Sequence, residues 1–106
     1  MSDLSFIQDN TTPPERAAML AEECCELAHA ALKCRRIMDP GGSPTPVNVM
    51  NANVKLQEEI ADVILCLQVC GYDITIQSQH INNVMDKKKK RWESRIHSAM
   101  KKRSKP

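Results

Sequence analysis

The sequence predicts an all-α protein, a helical bundle completed by oligomerisation, and three observations carry that expectation. The chain of 106 residues is 42% hydrophobic yet holds one Phe, one Tyr and one Trp. Its core must therefore come from Leu, Ile, Val, Met, Ala and Cys, a supply that suits helices better than a sheet. Apolar residues recur at steps of three and four, the spacing of one helical face. A Pro/Gly-rich stretch separates two such segments, as a connection between helices does. On the usual size relation the chain makes one domain, residues 1–106.

Thr12-Pro13-Pro14-Glu15 reads as a helix start. Thr12 can cap free amides, Pro13 suits the first helical position, and Glu15 completes a capping box. The helix runs to about Arg36 with Leu20, Cys24, Leu27 and Ala31 as its apolar stripe, and there is room for a short helix before Thr12. Asp39-Pro40-Gly41-Gly42-Ser43-Pro44-Thr45-Pro46 must stop it, opening a loop that spans about 39–53. A second helix starts between Val47 and Val54 and runs to about Cys70. From Val63 to Cys70 it is apolar almost all round, which predicts a central, buried helix, and Gly71 is a natural stop. A last helix from about Asp73 carries Ile74, Ile81, Val84 or Met85, Trp92, Ile96 and Ala99 on one face before a basic tail at about 97–106. One chain of this length cannot easily cover an all-apolar helix, so a homo-oligomer, dimer or tetramer, is expected to complete the bundle.

Apolar runs such as Val63 to Leu67 fall far short of the roughly 20 residues a membrane span needs, and no basic then apolar leader opens the chain. A cytoplasmic protein without a membrane partner is expected. The five cysteines, Cys24, Cys25, Cys34, Cys66 and Cys70, are odd in number and lie within helical patterns, so they read as reduced thiols acting as small core residues. The net charge of +2 conceals an asymmetry: residues 1–86 hold 5 basic and 12 acidic groups, residues 87–106 hold 10 basic and 1 acidic.

Chemistry concentrates in an internal echo. Glu22-Glu23-Cys24-Cys25-Glu26 is followed 36 residues later by Glu58-Glu59-Ile60-Ala61-Asp62, both acid-acid-x-x-acid. Residues three apart on a helix differ by about 300°, so Glu23 and Glu26 share a face, as do Glu59 and Asp62. Glu23 falls beside the first apolar stripe with Glu26 at its shoulder, while Glu22 points away; Glu59 and Asp62 flank the direction of Cys66. Two like charges about 4 Å apart repel by about 4 kcal/mol at an effective dielectric near 20, so four grouped carboxylates call for a cation. All-oxygen ligands select Mg²⁺, with Mn²⁺ as a substitute, and Mg²⁺ commonly bridges carboxylates to phosphates.

These residues resemble the signature of the all-α nucleoside triphosphate pyrophosphohydrolases, the MazG-like group, in Glu23-x-x-Glu26 followed by Glu59-x-x-Asp62 and in the flanking Leu20 to Leu27 and Glu58 to Leu65. The resemblance covers about residues 12–96. It implies a helical bundle that hydrolyses a (deoxy)nucleoside triphosphate to the monophosphate and pyrophosphate, with Mg²⁺ held by Glu23, Glu26, Glu59 and Asp62. Glu22 or Glu26 is the expected base that takes a proton from the attacking water. On the last helix it implies phosphate or sugar contacts from Asn83, Lys88 and Arg91. A role in clearing non-standard or excess nucleotides follows from that activity. The 32 residues between Glu26 and Glu59 exceed the spacing of many members, which suggests a loop that closes over the substrate. Phosphoribosyl-ATP pyrophosphohydrolase shares the expected fold and metal chemistry and is the alternative enzyme.

Glu26-Leu27-Ala28-His29 matches the Glu-x-x-His spacing of di-iron bundles, but those need two copies and this chain has one. His29 is expected to be exposed. Lys87-Lys88-Lys89-Lys90-Arg91-Trp92 has the charge of a nucleic-acid contact without the interleaved aromatics of a stacking platform. It reads as a solvated face that steers an anionic nucleotide, with a non-catalytic helical interaction or nucleic-acid-binding protein as the rival. Trp92 is expected in the core or at an oligomer contact.

Overall fold

The computed structural model of the chain describes residues 3–38, 49–72 and 78–104. Among them are four helices and no strand: α1 (Ser5–Asp9), α2 (Pro13–Met38), α3 (Val49–Val69) and α4 (Gln79–Ser104). The all-α expectation holds, and the short helix before Thr12 is present. No helix among the described residues is long and apolar enough to cross a membrane. The chain divides into two compact units, residues 1–74 and 75–106.

In the first unit α2 begins where the capping chemistry places it. Thr12 Oγ1 accepts the Glu15 amide at 3.3 Å, and the Thr12 hydroxyl donates to Glu15 Oε1 at 3.0 Å. α3 ends in a Schellman motif: the Tyr72 amide donates to the Leu67 carbonyl at 2.8 Å and the Gly71 amide to that of Gln68 at 3.0 Å. Gly71 has φ +97°, a conformation that any side chain would disfavour. α1 is tied down by polar contacts. Gln8 Nε2 donates to the Val69 carbonyl at 3.2 Å, and Arg16 Nη1 donates to the Gln8 and Thr11 carbonyls at 3.1 and 2.7 Å.

α2 and α3 pack as an antiparallel pair. The Cys70 thiol donates to the Arg16 carbonyl and the Cys34 thiol to the Ala52 carbonyl, each at 3.6 Å, so the start of one helix lies against the end of the other. The covered positions of α2 are Arg16, Leu20, Glu23, Leu27, Ala30, Cys34 and Ile37; those of α3 include Ala52, Leu56, Glu59, Val63 and Cys66, continued by Cys70 in the turn that follows. Both sets alternate steps of four and three, the repeat of a coiled-coil seam.

This corrects the expected stripe. Leu20 and Leu27 lie in the seam, but Cys24 and Ala31 are exposed, and Glu23 and Ala30 take their places. Leu20 and Leu27 belong to both patterns, and apolarity favours Cys24 over a glutamate. Only the facing helix reveals that a carboxylate occupies the seam. The cysteine expectation splits accordingly: all five are free thiols, Cys34 and Cys66 are buried, Cys70 is half-buried, and Cys24 and Cys25 are exposed. α3 is not enclosed by the described residues of its own unit either. Ala52, Glu59, Cys66 and Val69 are buried, whereas Ile60 and Leu65 remain open, Leu65 at 44%. A single partner helix can cover one stripe of an all-round apolar surface and no more.

In the second unit Ser78 Oγ accepts the Ile81 amide at 3.1 Å and caps α4. The helix runs through Ser104, so residues 97–104 of the basic end are helical, with Lys101, Lys102 and Arg103 in the last turn, where cations favour the helix dipole. α4 has no buried residue. Trp92 is 71% exposed, so within its own unit it is not a core residue. Periodicity identifies an apolar face without saying what covers it. Most of the expected loop at 39–53 lies outside the described residues, as do Ile74 and the expected helix start at Asp73, while 49–53 are the first turn of α3.

Candidate metal centre

The antiparallel register places the two acidic motifs side by side. Glu23 of α2 and Glu59 of α3 both occupy seam positions, and Asp62 stands one turn beyond Glu59 on the same face. One carboxylate oxygen from each of Glu23, Glu59 and Asp62 lies within 4.8 Å of the other two. The three form a gradient of burial: Glu59 is 4% exposed, Glu23 is half-buried and Asp62 opens to solvent.

Glu59 carries the strongest electrostatic demand. Its Oε1 accepts the Lys55 ammonium at 2.7 Å, from one turn back along α3. Its Oε2 is buried and has no hydrogen-bond partner among the described residues. Buried carboxylate oxygens are rarely left in this state, because the lost hydration must be replaced by a donor or a cation. Desolvation raises the Glu23 carboxyl above its usual range, and the neighbouring Asp62, Glu59, Glu26 and Glu22 charges push it further in the same direction. Glu23 thus resists ionisation where it stands, and a positive charge placed among the three oxygens would relieve it.

The donor set is oxygen. Cys66 lies in the seam beside the acids, but burial raises its thiol, and the charges of Glu23 and then Cys70, Asp62 and Cys24 act in the same sense. A thiol held protonated is a poor ligand for a soft metal. Octahedral Mg²⁺ binds oxygens at about 2.1 Å, which sets neighbouring ligand atoms about 3 Å and opposed ones about 4.2 Å apart. Side-chain rotation of ordinary size closes a group already within 4.8 Å to that geometry. The residues present therefore fit a hard divalent ion.

Of the four expected ligands, the fold gathers Glu23, Glu59 and Asp62. Glu26 is exposed and outside that group, where it acts on Glu23 as a neighbouring negative charge. Glu22 is exposed and also acts on Glu23 through its charge. The expected substrate residues lie in the second unit. Lys88 and Arg91 line one open concavity of α4 with Val84 and Lys87. Asn83 is exposed, and its Oδ1 accepts the Gln79 amide nitrogen at 3.0 Å. His29 is exposed, as expected. Lys55 is the residue that sequence reading passed over, although its i,i+4 spacing to Glu59 was visible. Compared with models of protein families, with characterised proteins and with solved structures, the chain finds no match.

Proposed function

We propose that this chain is a Mg²⁺-dependent nucleoside triphosphate pyrophosphohydrolase of the MazG-like kind, acting as a homo-oligomer. One observation carries the reading: three carboxylates from two helices come within 4.8 Å of one another, and one of them, buried Glu59, has an oxygen with no partner among the described residues. A divalent ion held by Glu23, Glu59 and Asp62 supplies charge neutralisation for triphosphate oxygens. In the proposed reaction water attacks the α-phosphorus, the bond to the α–β bridging oxygen breaks, and that oxygen leaves with the pyrophosphate. Glu22 or Glu26, exposed beside the cluster on α2, accepts the proton that the water gives up. Lys88 and Arg91, which share a concavity of α4 in the second unit, are the residues that the resemblance assigns to phosphate oxygens. The open apolar side chains of α3, Ile60 and Leu65 among them, support a second copy completing the bundle as a dimer or tetramer.

The test is incubation with each common nucleoside triphosphate, its deoxy form and phosphoribosyl-ATP in the presence of Mg²⁺. The expected result is monophosphate plus pyrophosphate from one or a few of them, lost in Glu59→Gln. The long, fully solvated basic surface of α4 favours the rival, a nucleic-acid-binding helical protein. Tight, salt-sensitive binding of nucleic acid with no turnover of any nucleotide decides for that rival.

A further inference from the structure

We infer that Lys55 is a built-in counter-charge that sets the acidic site's charge to minus two and thereby its affinity and preference for a divalent ion, an inference that rests on the cation site proposed above. Three features of the pair support this. Its order along the helix, lysine before glutamate at i,i+4, is the less favourable one, so helix energetics alone do not explain the contact. Its burial is one-sided, with the Lys55 side chain 55% exposed and that of Glu59 5% exposed, so the ammonium reaches in from the rim. The lysine engages Oε1 and leaves Oε2 bare, which satisfies half of the carboxylate and reserves the other half.

Once the three carboxylates are ionised, as a bound cation favours, they and the one ammonium leave two net negative charges in the cluster, the complement of one divalent ion. Removing the lysine leaves three, which attracts every cation more strongly and a trivalent one most, because Coulomb energy scales with ionic charge. The ammonium stays close enough to Glu59 to repel whatever ion approaches Oε2.

The experiment is calorimetric titration of the metal-free full chain with Mg²⁺ and with Tb³⁺, using wild type, Lys55→Met and Lys55→Arg. Circular dichroism confirms helicity, and Lys55→Gln replaces the methionine variant if that one is poorly folded. The expected result is Mg²⁺ binding tightened roughly tenfold by loss of the charge, Tb³⁺ binding tightened by a larger factor, and wild-type constants in Lys55→Arg. Unchanged or weaker binding in Lys55→Met, or an arginine variant that behaves like the methionine one, overturns the role of Lys55 while the cation site stands. Binding seen in Lys55→Met but absent in wild type supports it in stronger form. Failure of every variant to bind either ion overturns the site and the lysine together.

Discussion

Replacing Glu59 by glutamine tests the site with almost no change of shape. The substitution removes one negative charge from the cluster and keeps an oxygen that can accept the Lys55 ammonium. Two unit charges 4.8 Å apart, the outer limit for the Glu59 and Asp62 oxygens, repel by about 3.5 kcal/mol at an effective dielectric near 20. Glu23, within the same limit, adds as much again, the lost Lys55 pair at 2.7 Å offsets about 6 kcal/mol on the same scale, and a net gain of about 1 kcal/mol remains. The metal-free variant should therefore melt above wild type, by roughly 4–8 °C for a chain of this size. With Mg²⁺ at about a hundred times its dissociation constant the order reverses, because wild type gains about 2.7 kcal/mol from the bound ion, and the variant, lacking a ligand, gains far less. Differential scanning fluorimetry in chelator and in a Mg²⁺ series measures both arms. A wild-type melting point indifferent to Mg²⁺, together with a Glu59→Gln variant less stable than wild type in chelator, would refute the argument that these acids are gathered for a cation.

Three further outcomes follow from the same geometry. Glu23 is raised above the ordinary carboxylate range, so the folded state holds its proton longer than the unfolded chain does. Its contribution to metal-free stability is therefore lost as pH rises through the ordinary range toward the raised value, while Mg²⁺ affinity climbs over the same window. Melting curves in chelator across acidic pH should show that fall in wild type and a flatter profile in Glu23→Gln; identical profiles would contradict it. Cys24 and Cys25 are exposed and Cys34 and Cys66 buried, so brief alkylation of the native protein read by peptide mass spectrometry should label the first two and spare the second two until denaturant is added. Native labelling of Cys66 at the rate of Cys24 would disprove the seam. At Gly71 a new Cβ meets nothing within 4 Å, but φ of +97° remains, so Gly71→Ala should cost about 1–2 kcal/mol of backbone strain, seen as a lower urea midpoint with unchanged slope.

The amino-acid sequence by itself determined the local events of this fold. Thr12 with Glu15 starts α2, Gly71 ends α3 by adopting a positive φ, and the acid-x-x-acid spacing puts Glu59 and Asp62 on one face. Each of these is decided within a turn or two of helix, where neighbours in the chain are neighbours in space. Tertiary structure alone decided which face of each helix is covered. Periodicity allows Cys24 or Glu23 in the α2 stripe, and the facing α3 selects Glu23, because that rotation sets it against Glu59 and Asp62. The same register buries Glu59 and strands its Oε2, and it gathers Glu23 with Asp62 but not Glu26. The lysine at i−4 was legible as a helical pair, yet its importance comes from the depth of its partner, which no single helix specifies. Burial is a property of two surfaces. A sequence pattern describes one of them, and for the apolar face that carries Trp92, itself 71% exposed, it does not name the second.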